Sequence, residues 1–71
     1  MKNQVKLLDV VALTTDLPSH DLQRGQVGTV VETLAPNVFE VEFSDNKGRT
    51  FAEVAVQADK LLVLHYEPIM A

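Results

Sequence analysis

The sequence lacks cysteine, has few aromatic residues and contains no long apolar run. With no cysteine among 71 residues, disulfide bonds and thiolate metal sites are excluded, and the composition suits a reducing compartment. No apolar stretch approaches the roughly 18 residues that a membrane-spanning helix requires. Asp9 also interrupts the first apolar segment, so no signal-peptide core follows the start of the chain. We therefore expect a cytoplasmic protein with no membrane association.

Basic residues are also scarce, and the chain is short. Six Lys and Arg against ten Asp and Glu give a formal net charge of −4, while hydrophobic residues make up 46% of the chain. Such a hydrophobic content excludes a disordered acidic tail. A chain this short buries little surface when it folds, so we expect a closed sheet and self-association into a homo-oligomer to support it.

The apolar residues alternate with the two-residue period of β-strands rather than with a helical period. This pattern predicts five short strands, at residues 7–13, 27–34, 38–43, 49–56 and 60–65. A long loop follows the first strand, and one helical turn at 57–59 precedes the last. These features predict an all-β domain over 1–71, a small five-stranded SH3-like barrel with its core at about 6–64 and a tail at 65–71. An OB-fold is not favoured, because no helix fits between the third and fourth strands.

The sequence pattern also predicts where several side chains point. In the third strand, Glu40 and Glu42 alternate with apolar residues, so the carboxylates should face away from the core. In the fourth strand, apolar residues at every second position from Ala52 to Val56 should share the core face. In the long loop, we expect Leu17 and Leu22 to fold back onto the core.

Glycine is rare, and two glycines three residues apart stand at the entrance of the second strand. A phosphate-binding loop would need a helix N-terminus after them, whereas a β-rich run follows Gly28. We therefore predict structural roles: a turn with positive φ at Gly25, and a bulge or close backbone approach at Gly28. Gly48 belongs to the turn between the third and fourth strands.

The chain offers few residues for catalysis or metal binding. Ser19, His20 and Asp21 are neighbours in the long loop, but adjacent side chains diverge and cannot form a triad. His65 and His20 show no metal-site spacing. We therefore predict no catalytic residues, no metal, no cofactor and no enzymatic activity, with a site around His20, Asp21 and His65 as the minor alternative.

Acidic side chains on the central strands are the remaining candidate for function. They form a candidate partner surface of Glu32, Glu40, Glu42, Asp45 and Glu53. Solubility alone would explain such a field, but a docking surface for a basic protein would also use it. Beyond the last strand, residues 66–70 carry an aromatic and two large apolar side chains, which we expect to pack against the barrel or another subunit.

Three segments carry a family resemblance: residues 7–13 followed by 15–18, with the run Asp16-Leu17-Pro18; residues 22–32, with Arg24-Gly25-Gln26-Val27-Gly28-Thr29-Val30; and residues 39–43. Together they resemble a small bacterial family of SH3-like domains of unknown function. Members of that family are typically free-standing and are sometimes encoded beside a predicted toxin. The resemblance implies an accessory, antitoxin- or inhibitor-like binding role with no catalytic residues to carry over.

The run from Arg24 to Val31 also resembles the motif of KOW domains, small barrels of ribosomal and transcription proteins. That likeness implies nucleic-acid binding as the alternative function. Six scattered basic residues and few aromatic side chains do not favour it, because nucleic-acid binding depends on clustered cations and on base stacking. We therefore expect a protein partner rather than a nucleic acid.

Overall fold

The computed structural model describes residues 4–65, which form one five-stranded antiparallel sheet. The strands are β1 (Val10–Leu13), β2 (Val27–Ala35), β3 (Val38–Ser44), β4 (Thr50–Gln57) and β5 (Leu61–Val63). Short 3₁₀ turns lie at Pro18–His20 and Ala58–Lys60. The strands are ordered β4-β3-β2-β1-β5 across the sheet.

The predicted all-β class with five strands and a helical turn before the last strand is confirmed. Closure of the sheet into a barrel stays a prediction, since the strand pairings within residues 4–65 leave β4 and β5 each paired on one side. The turn between β3 and β4 contains no helix, as expected. The predicted packing of residues 66–70 concerns a segment outside the described residues.

The start of the first strand is where the structure differs most clearly from the sequence prediction. The apolar pattern predicts that it begins at Leu7 and Leu8, but β1 starts at Val10. The Asp9 carboxylate accepts a hydrogen bond from the Lys6 N–H at 2.8 Å, and the Asp9 N–H donates to the Lys6 carbonyl at 3.0 Å. These bonds close a turn in which Leu8 takes a φ of 71°. The local hydrogen bonds of an Asp have overridden the strand preference of its neighbours.

Smaller differences affect the last two strands. The fourth strand begins at Thr50 rather than Arg49, because Arg49 completes the hairpin turn. The helical turn spans Ala58–Lys60, one residue later than predicted, and β5 is correspondingly shortened to Leu61–Val63.

The core lies on one face of the sheet and beneath the long loop. Leu22 is 1% exposed, and its backbone pairs with Leu17 through two hydrogen bonds of 2.8 and 3.2 Å. The predicted folding of this loop onto the core is therefore confirmed. Eleven apolar side chains are buried together: Val11, Leu13, Leu22, Val30, Phe39, Val41, Phe43, Val54, Val56, Leu61 and Val63.

Gly28 lies between two fully buried side chains in the middle of the sheet. Its Cα pairs with Val11 of β1 on one side and with Phe43 of β3 on the other. A Cβ at this position would lie 2.7 Å from Val41 Cγ1, 2.8 Å from the Glu42 carbonyl oxygen and 2.9 Å from Phe43 Cδ1. The predicted close approach is thus confirmed, whereas the irregularities of β2 lie further along, after Val30.

The predicted turn with positive φ at Gly25 is also confirmed, but the reason for glycine there is different. A Cβ added to Gly25 would meet no other atom within 4 Å, so the surroundings leave room for a side chain. The φ of Gly25 is 92°, a value that residues with a Cβ rarely adopt. The backbone conformation rather than space therefore requires glycine there.

We predict that Gly28→Ala lowers the free energy of unfolding by about 1–3 kcal/mol, the usual cost of overpacking a filled core. Chemical denaturation measures this loss. In a Val41→Ala background part of the penalty should disappear, because the Val41 methyl group is one of the clashing atoms. Equal penalties in both backgrounds would contradict a steric origin at Val41.

Candidate protein-docking surface

The outer face of β2, β3 and β4 carries most of the predicted acidic residues. Glu40 and Glu42 alternate with the buried residues of β3, so their side chains point away from the core. Strand register places Glu32 opposite Glu40 and Glu53 opposite Glu42. The structure therefore brings four of the five predicted carboxylates together as two cross-strand pairs, which we call the acidic patch.

The acidic patch has no neutralising residue within its strands. Strands β2, β3 and β4 contain no Lys, Arg or His. Like charges directly opposite each other on a sheet are destabilising. Glu40 and Glu42 are half-buried, and Glu32 and Glu53 are exposed, so water screens the repulsion only in part. Within β2, β3 and β4, the negative charge of the patch is therefore balanced by no basic residue.

Asp45, the fifth predicted residue, has a different role in the hairpin turn. Its Oδ1 accepts hydrogen bonds from the N–H groups of Lys47 at 2.8 Å and Arg49 at 3.0 Å, and its Oδ2 lies 3.2 Å from Arg49 Nε. The Gly48 N–H donates to the Asp45 carbonyl at 3.0 Å, and Gly48 has a φ of 79°. The hydrogen bond from the Arg49 N–H, aided by that from Lys47, holds the pKa of Asp45 below its ordinary value. The Asp45 carboxylate therefore binds groups of its own turn.

The other half of this outer face is apolar and was not predicted from the sequence. Leu62 of β5 pairs with Ala12 of β1, and Ala12 pairs with Val27 of β2. The exposed fractions of Leu62 and Val27 are 47% and 48%. The run Leu61–Leu64 is apolar at every position, so alternation could not show which side chain points outward. Only the register reveals it.

The residues considered for catalysis lie in exposed positions. His20 ends the first 3₁₀ turn, and Asp21 follows it with a φ of 58°. His65, also exposed, follows β5. Within residues 4–65, no group of three or more His, Asp or Glu side chains is arranged to hold a metal ion. The same part of the chain contains no helix with the length and apolar character to cross a membrane.

Comparison with protein families shows which family the chain resembles. Residues 7–63 match the model of a family described as a domain of unknown function (DUF4926). The matched range includes all five strands and both halves of the outer face. No curated protein and no solved structure matches the chain. The predicted resemblance to a family of unknown function is confirmed, while the SH3-like and KOW likenesses stay predictions.

We predict that the Asp45 turn stabilises the protein near neutral pH and loses this effect in acid. Because the folded-state pKa is depressed, the contribution is present above the ordinary value of 3.8 and is lost as the pH falls through the folded-state pKa. Asp45→Asn keeps an oxygen for the backbone N–H groups but loses the charge. The difference in Tm between wild type and Asp45→Asn should therefore shrink between pH 6 and pH 2, roughly the range over which an Asp titrates. A constant difference would contradict this.

We predict that Glu42→Gln or Glu53→Gln raises the free energy of unfolding by about 0.2–1 kcal/mol, because either change removes the cross-strand repulsion. The double variant should gain little more than a single one, since the repulsion requires both charges. Urea denaturation at low salt measures the gain, which added salt should reduce. Destabilisation by both single variants would show that the pair is not repulsive.

Proposed function

The chain belongs to a family of unknown function, and we propose that it is a non-catalytic binding module whose acidic patch docks on a basic surface of another protein. The observation that carries this proposal is the pairing of Glu32 with Glu40 and of Glu42 with Glu53 across strands that contain no basic residue. An incoming cation would relieve this repulsion and would gain two carboxylate partners at once.

The placement of the charges supports docking over solubility as their role. Solubility depends on net charge, which acidic residues in separate turns would supply equally well. Two cross-strand pairs of carboxylates cost stability without adding to that effect. A complementary potential, in contrast, accelerates association and selects the partner. The arrangement therefore suits recognition of a basic protein.

An antitoxin- or inhibitor-like action, as the resemblance implies, is one form of this binding. The positions of His20, Asp21 and His65, all exposed in loops, support a role without catalysis. Self-association into a homo-oligomer is a separate proposal, and it rests on the small core expected for a short chain.

We predict that the tagged protein captures a basic protein in stoichiometric amount from the cells that produce it. The variant Glu42→Gln/Glu53→Gln should weaken the purified complex about tenfold or more, because partner cations lose both carboxylates. Asp21→Asn/Asp59→Asn removes the same charge from exposed positions outside the patch and serves as the matched control. Absence of a stoichiometric partner, or equal weakening by both double variants, would contradict the proposal.

Nucleic-acid binding is the alternative, and a salt titration decides it. Arg24, which begins the KOW-like run, is the basic residue that bears on this function. It is exposed in the turn before β2, and its backbone N–H donates to Asp16 Oδ1 at 2.8 Å. Binding to RNA or DNA at roughly 50 mM salt, weakening steeply as salt rises, would favour this function. We expect no binding under those conditions, because the acidic patch repels phosphates.

A further inference from the structure

An apolar strip continues the acidic patch across the outer face. Its central row is Leu62–Ala12–Val27, set by direct pairing of β5 with β1 and of β1 with β2. Val10, half-buried, lies two residues before Ala12 on the same face. We call Val10, Ala12, Val27 and Leu62 the apolar strip. Its two large exposed side chains, Val27 and Leu62, are each nearly half exposed.

The strip and the acidic patch are joined through one row of residues. Val10 pairs with Thr29, Thr29 pairs with Glu42, and Glu42 pairs with Glu53. This row therefore passes from the apolar strip to a glutamate pair with a single threonine between them. A molecule that lies along the row contacts both regions.

We propose that the basic partner also carries an apolar anchor, which packs on the apolar strip while its Lys or Arg side chains reach Glu42 and Glu53. This inference rests on the proposed function and specifies the partner's surface. Neighbouring strands lie about 4.8 Å apart, so β3 and β4 are about 10 and 14 Å from β1. The partner's anchor and its cations must be separated by a similar distance.

Charge complementarity favours such a partner over a second copy of this chain. A second copy would offer the apolar strip but no cation from β2, β3 or β4. A surface with an apolar group and two cations satisfies both halves of the face. An amphipathic helix meets the spacing, because seven residues of helix span about 10.5 Å.

Labelled alanine-based helical peptides of about 16 residues provide the probe. The first peptide carries two leucines in one turn and two lysines two turns later, on the same face. A second replaces the leucines with serine, and a third replaces the lysines with glutamate. Fluorescence anisotropy at low salt should show binding of the first peptide and at least about tenfold weaker binding of the other two.

The protein variants test whether the apolar strip is the contact. Leu62→Gln and Val27→Thr should each weaken binding of the first peptide about five- to tenfold, as expected when about half of an aliphatic side chain no longer becomes buried. Leu34→Thr is the matched control, because Leu34 is 45% exposed but lies beyond the part of β2 that pairs with β1. We expect it to bind like the wild type.

Three results would overturn the inference. The Leu62→Gln and Leu34→Thr proteins could bind the first peptide equally well while the wild type still fails to bind the glutamate peptide. The acidic patch would then be the whole binding site, and the proposed function would stand without the apolar strip. Failure of the first peptide to bind would contradict the apolar anchor of the partner. The capture experiment would then decide the proposed function separately. Dimerisation of the free protein in sedimentation equilibrium, abolished by Leu62→Gln alone, would assign the strip to a second copy.

Discussion

The close approach of β2 to β3 at Gly28 is the constraint on which the rest of the sheet depends. Gly28 pairs with Val11 and Phe43, both fully buried, and a methyl group there would meet side-chain and backbone atoms at under 3 Å. Only glycine therefore fits at this point of the core row. Since a shift of one residue would exchange the faces of a strand, this fit fixes which side chains of β1, β2 and β3 point outward.

The outer face follows from that register. One residue beyond Gly28, Thr29 connects Val10 on one side with Glu42 and Glu53 on the other. Apolar residues gather over β5, β1 and the start of β2, while carboxylates gather over β2, β3 and β4. Both groups are unfavourable in the isolated protein, the first by exposing apolar surface and the second by repulsion. Binding a partner would relieve both at one surface, which is why we connect them in a single proposal.

The parts of the fold that the sequence predicted are those governed by local chemistry. Clean alternation in β3 placed Glu40 and Glu42 correctly, and Gly25 indicated its turn. The first strand is predicted to start too early because the Asp9 carboxylate accepts a hydrogen bond from the Lys6 N–H, a bond that competes with strand formation at Leu7 and Leu8. The apolar strip could not be predicted, because the orientation of Leu62 within an apolar run depends on pairing with a distant strand. The sequence also predicts Asp45 as part of the candidate partner surface, whereas its carboxylate accepts hydrogen bonds from N–H groups of its own hairpin turn.

A map of the amide chemical shifts of the ¹⁵N-labelled protein, recorded while the captured partner is added, tests the central claim most directly. We predict that the largest changes occur together at Val10, Thr29, Glu42 and Glu53, along the row that joins the two halves of the outer face. Changes confined to the long loop around Arg24, or to the Asp45 hairpin turn, with this row unaffected would contradict it.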